Sequence, residues 1–209
     1  DTSGLHAAEK LQGTLHVDAA RTGQTWNWRG ALDWQGGELF WQPLYLRGGH
    51  TLRASGQWDN TQLKVTQAVV NLPGVGKVEM QALWDVKKSN LLEGRLVGEN
   101  LSLANGFADY AKPFLEKSAL SATELKGFVD VDWQYRDGAT QVLLIKLRDV
   151  AVVDGEKRFA LHGINADIPW HAQVQSMAHV AFADGELMGL PLGATQWQIQ
   201  MRGNNFILP

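Results

Sequence analysis

The chain has 209 residues, 44% of them hydrophobic and 20% charged, with a net charge of -3 and no cysteine. Those figures suit one large or two small domains that bury a core without staples. They exclude disulfides, cysteine zinc sites and thiol nucleophiles, and they supply neither the basic stripe that nucleic acid requires nor a polybasic segment for an anionic membrane surface.

No run of about 18 apolar residues is present, so no transmembrane helix is expected. The start, "DTSGLHAAEK", lacks the basic and apolar regions of a signal peptide. It and the end, "NNFILP", read as cuts through a longer protein.

In chain order, short strands and turns dominate. Gly30–Trp34, "GALDW", opens the series, and Gly36-Gly37 reads as a turn between "LDWQ" and "ELFW". Gly48-Gly49 separates "LYLR" from "HTLRA". In "LRASGQW", Leu52, Ala54, Gly56 and Trp58 share one face of a strand, with Arg53, Ser55 and Gln57 on the other. Asp59-Asn60 turns the chain, and Val78, Met80, Ala82 and Trp84 repeat the alternation in "VEMQALW". Ser89-Asn90 is the next turn.

Residues 102–120, "SLANGFADYAKPFLEKSAL", break the pattern. Phe107, Tyr110, Ala111, Phe114 and Leu115 recur at helical spacing and Pro113 interrupts them. The spacing predicts a short helical insertion near 104–118, kinked or split in two. It serves as a plug at one end of the sheet or as a mobile lid.

Strands resume at Gly127–Trp133, "GFVDVDW", where Val129, Val131 and Trp133 oppose Phe128, Asp130 and Asp132. Asp137-Gly138, Asp154-Gly155 and Asp184-Gly185 read as hairpin turns around "VLLIKLRDVAV" and "GINADIPW". "QWQIQMR" closes the series, with Trp197, Ile199 and Met201 opposite Gln196, Gln198, Gln200 and Arg202. The total is roughly ten to thirteen antiparallel strands, too many for a strongly twisted open sheet unless it curls, splits or closes. A sandwich, a barrel and a curled trough all fit the periodicity. The Gly-to-Trp segments are a repeated strand style rather than a regular repeat.

Chemistry-bearing motifs are scarce. His6, His16, His50, His162, His171 and His179 form no HxH or HExxH pair. "DVDWQYRDG" fails calcium-loop spacing, because Trp133-Gln134-Tyr135 stand where a ligand and the glycine belong. Asp130 and Asp132 are therefore assigned to the wet face of a strand. "GVGKVE" has Glu79 where a dinucleotide loop has its third glycine. No Walker or GxSxG motif exists. No constellation with named catalytic roles is available, so no enzyme and no cofactor is expected. The nine tryptophans fit buried strand faces, sugar-stacking platforms or the lining of a greasy cavity.

The run from Leu125 to Trp170, with its Gly-led strand ending in Trp, its apolar strand, its Asp-Gly turn and its "FALHGINADIPW", resembles a unit of the AsmA-like proteins of Gram-negative envelopes. It is most similar to the YdbH-type branch, with TamB and YhdP as relatives. Gly56–Trp84 has a similar rhythm. The resemblance implies a periplasmic module of a longer protein anchored in the inner membrane. Its strands would form an elongated, curled antiparallel sheet, an open trough or groove that passes phospholipids between the membranes. Residues 1–209 would form a single β-rich module. The implied partners are lipid acyl chains, and the inner and outer membranes through parts outside this sequence; nucleic acid is not among them. The groove-lining residues are then Val129, Val131, Trp133, Leu143, Ile145, Leu147, Trp197, Ile199 and Met201. A Trp-rich carbohydrate-binding domain and a structural β-sandwich of the envelope are the alternatives.

Overall fold

Two-residue alternation over most of the chain dictates strands, and strands are what form. The computed structural model describes residues 5–118, 120–203 and 205–207. Among the described residues it contains fifteen strands, 74% of those residues. They are β1 (His6–Thr22), β2 (Thr25–Trp41), β3 (Leu44–Arg47), β4 (His50–Trp58), β5 (Gln62–Leu72), β6 (Gly76–Asp85), β7 (Asn90–Ser102) and β8 (Thr123–Arg136). They continue with β9 (Ala139–Asp154), β10 (Phe159–His171), β11 (Ser176–Phe182), β12 (Asp184–Leu187), β13 (Leu190–Leu192), β14 (Thr195–Arg202) and β15 (Asn205–Ile207). The excess over the sequence-based count comes from β12, β13 and β15, each of three or four residues, too short to show a period.

The chain divides into two units. One comprises residues up to Val97 with Trp133–Thr140, the other Gly98–Asp132 with the remainder from Gln141. Strand order in the first unit is β1-β2-β4-β5-β6-β7, with β3 paired to the far end of β2. In the second unit β8-β9-β10-β11-β14-β15 follow one another, and β12 extends from β10 and carries β13. The expected open antiparallel sheet is found. The chain exposes 13602 Å², above the about 9,700 Å² of one compact protein of this mass and even the about 11,600 Å² of two half-size ones. Much of the strand surface therefore stays in water.

Most turns lie where the sequence places them. Asp137 and Gly138, both at positive φ, make the tight β8–β9 hairpin. Asp59 Oδ1 accepts hydrogen bonds from the Thr61 and Gln62 amides at 2.7 and 2.8 Å, fixing the β4–β5 turn. Two expected turns are not turns. Gly36-Gly37 lies inside β2 at a bulge opposite β1, and Asp184-Gly185 opens β12. A glycine with positive φ serves a bulge as readily as a hairpin. The actual β12–β13 turn is Met188-Gly189, with φ of 49° and 81°.

The helical insertion forms as one turn of α-helix, α1 (Leu103–Gly106), then a π-helical turn (Phe107–Ala111) and a 3-10 turn (Lys112–Leu115). Pro113 sits at the start of the 3-10 turn, where its missing N–H costs nothing. No residue of these three turns is fully buried.

Candidate functional site

Register turns the alternation into surfaces. In the first unit, residues directly opposite one another share a face, and one face is apolar from β1 to β6. Leu15, Leu32, Leu52, Val70 and Val78 form one cross-strand row. Val17, Gly30, Ala54, Ala68 and Met80 form the next. A third row is Trp26, Trp58, Leu63 and Trp84. The opposite face carries Asp18, Arg29, Ser55 and Gln67 in one row and His16, Ala31, Arg53, Val69 and Glu79 in another. Gly56 lets the sheet close up within the Trp face. A Cβ there would overlap the Lys64 carbonyl oxygen and meet the Trp28 ring at 2.8 Å.

The apolar face is buried at a few points on β5 and β6 and open toward β1. Ala68 and Val78 are 5% and 8% exposed, whereas Leu15 and Val17 are 68% and 65% exposed. Trp26, Trp58 and Trp84 are also exposed. Contiguous exposed apolar surface of this kind marks a site of interaction.

The second unit repeats the device. Leu147, Ala166, Val180 and Trp197 form one row across β9, β10, β11 and β14. Leu143 lies opposite Trp170, Ile145 opposite Ile168, Ile199 opposite Ala178 and Met201 opposite Ser176. The other face pairs Lys146 with Asp167, Asp167 with His179 and His179 with Gln198. Asp130 locates β8 in this scheme. Its carboxylate is bound by Arg148 (Nη2 to Oδ1, 2.9 Å; Nη1 to Oδ2) and accepts the Asn100 amide at 2.6 Å. Those bonds hold Asp130 below the usual carboxylate range, the Arg148 bond contributing most. Arg148 lies opposite in parity to Leu147, so Val129 and Val131, flanking Asp130, share the apolar face with Leu147. Asp130 is therefore not merely wet; it is half of an ion pair on the polar face.

Six of the predicted lining residues thus share a face through register, on β9 and β14, and Val129 and Val131 join them through the Asp130–Arg148 pair. Their exposure differs. Trp197 is 44% exposed and Met201 is sealed at 2%. Trp133 belongs to the first unit, where its Nε1 donates to Thr140 Oγ1 at 3.0 Å and its ring lies against Gly94.

Leu15 and Val17, the most open of the first unit's large apolar residues, are not among the predicted ones. Their signal was present in "LQGTLHVDAA", where Leu11, Gly13, Leu15, Val17 and Ala19 alternate with polar residues. Among the described residues no three His, Asp or Glu side chains stand together as a metal site. No helix among them is long and apolar enough to cross a membrane. Comparison of the chain with models of protein families, with curated proteins and with solved structures finds no match.

Proposed function

We propose that this chain is a periplasmic module of an AsmA-like, YdbH-type protein that carries phospholipids between the two membranes. It holds acyl chains along its apolar strand face and acts without an enzymatic step. The observation that carries the reading is the continuous apolar face of the first unit, which stays open to water at β1. Each methylene laid on such a face gains roughly 0.8 kcal/mol when fully buried. A ladder of similar rows offers many weak sites in place of one tight pocket, which suits passage of a chain along it. The polar face keeps the module wetted on its other side. The membrane anchor and the contacts with both membranes belong to parts outside this sequence.

Titration with cis-parinaric acid tests this. Saturable binding is expected, with Val131→Glu weakening it while the circular-dichroism spectrum stays that of the parent. Absence of saturable binding overturns the reading, and global unfolding of the Val131→Glu protein assigns that part of the face to a sealed core.

One observation favours a second reading. Trp26, Trp58 and Trp84 lie in one exposed cross-strand row, a geometry suited to stacking on sugar rings. Under that reading soluble oligosaccharides shift the tryptophan fluorescence and fatty acid does not compete.

A further inference from the structure

β1 runs 17 residues at the end of the strand order, and among the described residues it pairs with β2 alone. Every residue of it after His6 is exposed. Proteins blunt such an edge with short strands, prolines, lysines or bulges, because its free N–H and C=O groups are a template for another strand. β1 has a bulge at one end only. Between Glu9 and Gln12 its register with β2 slips, Lys10 takes φ 49°, and a cavity of about 360 Å³ opens beside Gln12. From Leu11 to Ala20 there is no proline, and Asp18 is the one fully charged side chain.

The turn that ends β1 decides which backbone groups look outward. Thr22 and Thr25 face each other across the two-residue turn Gly23-Gln24 and so exchange both hydrogen bonds of a closing pair. Alternation back from Thr22 directs Ala20, Asp18, His16 and Thr14 toward β2. Arg21, Ala19, Val17, Leu15 and Gly13 therefore point N–H and C=O at the free edge. Leu15 and Val17 are also residues of the apolar face, so an incoming strand must carry apolar side chains where its own backbone faces β1. β1 is itself such a strand.

We infer that β1 seats a second copy of this chain, pairing antiparallel with that copy's β1 about a two-fold axis at Val17. Val17 then faces Val17, Leu15 faces Ala19, and Gly13 leaves room for the Arg21 side chain. On the polar face each Asp18 carboxylate faces a His16 imidazole able to donate to it, on the open side from its own Arg29, whose Nε lies 3.7 Å from Oδ2. The Val17 pair, two Leu15–Ala19 pairs and two Gly13–Arg21 pairs give about ten hydrogen bonds. The ladder stops at Gly13, short of the bulge and its cavity. Neighbouring registers fit less well. An axis at Leu15 sets Leu11 opposite Ala19 and runs the ladder into the bulge, and an axis at His16 sets the two imidazoles against each other. Length disfavours head-to-tail pairing, since β15 at the far end of the order has three residues. The contact closes as a dimer in place of a fibre. The pairing does not depend on what the apolar face binds.

The chain has no cysteine, so each introduced one is a unique reporter. Sedimentation equilibrium of the parent is expected to give twice the chain mass, and a short bismaleimide is expected to join Val17→Cys to its copy. Thr22→Cys, about 33 Å from its copy in this register, is expected to stay unjoined. Val17→Pro removes an outward N–H that β2 does not use. It is expected to weaken association about tenfold while the circular-dichroism spectrum stays that of the parent. Monomer mass at about 100 μM overturns the pairing and leaves the edge to a strand of another protein. A dimer that a folded Val17→Pro leaves intact overturns it as well. Where Val17→Pro does not fold, the cysteines decide, and joining of Thr22→Cys as fast as Val17→Cys overturns the register.

Discussion

In the first unit Leu15 and Val17 stand 68% and 65% exposed on the apolar face, while Ala178 and Met201 on the apolar face of the second are each 2% exposed. All four come from the same alternation of apolar and polar residues. They differ in rank in the strand order. β1 ends its sheet, with neighbours on one side only, whereas β11 and β14 have hydrogen-bonded neighbours on both. A strand pattern assigns a side chain to a face; how much water that side chain keeps varies along the face, as Trp197 at 44% and Met201 at 2% on the same strand show.

The largest way to test that contrast is Met201→Ala. It removes a sealed side chain and is expected to cost about 2–5 kcal/mol in denaturant unfolding. A cost near zero would mean that the second unit is as open as the first. Next comes Gly127→Ala. Gly127 has φ 97°, and a Cβ there would lie 2.5 Å from the Asp149 carbonyl oxygen. A loss of about 1–3 kcal/mol is expected from the strained conformation and the collision together. Gly23→Ala, at φ 63° with nothing within 4 Å, isolates the conformational part and costs less.

A third effect is pH-dependent and belongs to the second unit. Arg158 donates Nε to Asp154 Oδ2 at 2.7 Å and Nη2 to Oδ1 at 2.8 Å, holding the Asp154 carboxyl down to about 2 against an ordinary 3.8. Folding therefore favours the ionised form. Its contribution is complete above about pH 4 and is lost as pH falls from there toward about 2. Thermal unfolding midpoints across that window should fall in the parent and fall less in Arg158→Met. A matching slope in both proteins would remove this pair from the acid limb. The smallest effect is Leu15→Ala, within about 0.5 kcal/mol because the side chain is already in water. A cost like that of Met201→Ala would show the β1 face to be covered.

The face assignments of Leu52–Trp58, Val78–Trp84 and Trp197–Met201 were legible because an alternation of period two has one interpretation once a strand forms. The bulges were not. Gly36-Gly37 and Asp184-Gly185 have the composition of hairpin turns, and only the partner strand reveals that the chain continues straight. The Met188-Gly189 turn escaped notice because methionine is a poor indicator of positive φ. The difference in exposure between Leu15 on β1 and Val78 on β6 could not be read at all, since strand order depends on contacts distant in sequence. The cavity beside Gln12 needs two bulged strands in register, so it too was invisible before the fold.

Native mass spectrometry of the protein purified from a Gram-negative host weighs the acyl-chain reading in one step. A phospholipid-sized adduct that solvent extraction removes, and that Leu15→Glu and Val131→Glu each diminish, is the expected spectrum. Only the bare polypeptide mass, with no uptake of added lysolipid, would show the open apolar face to be bare of lipid and the reading to be mistaken.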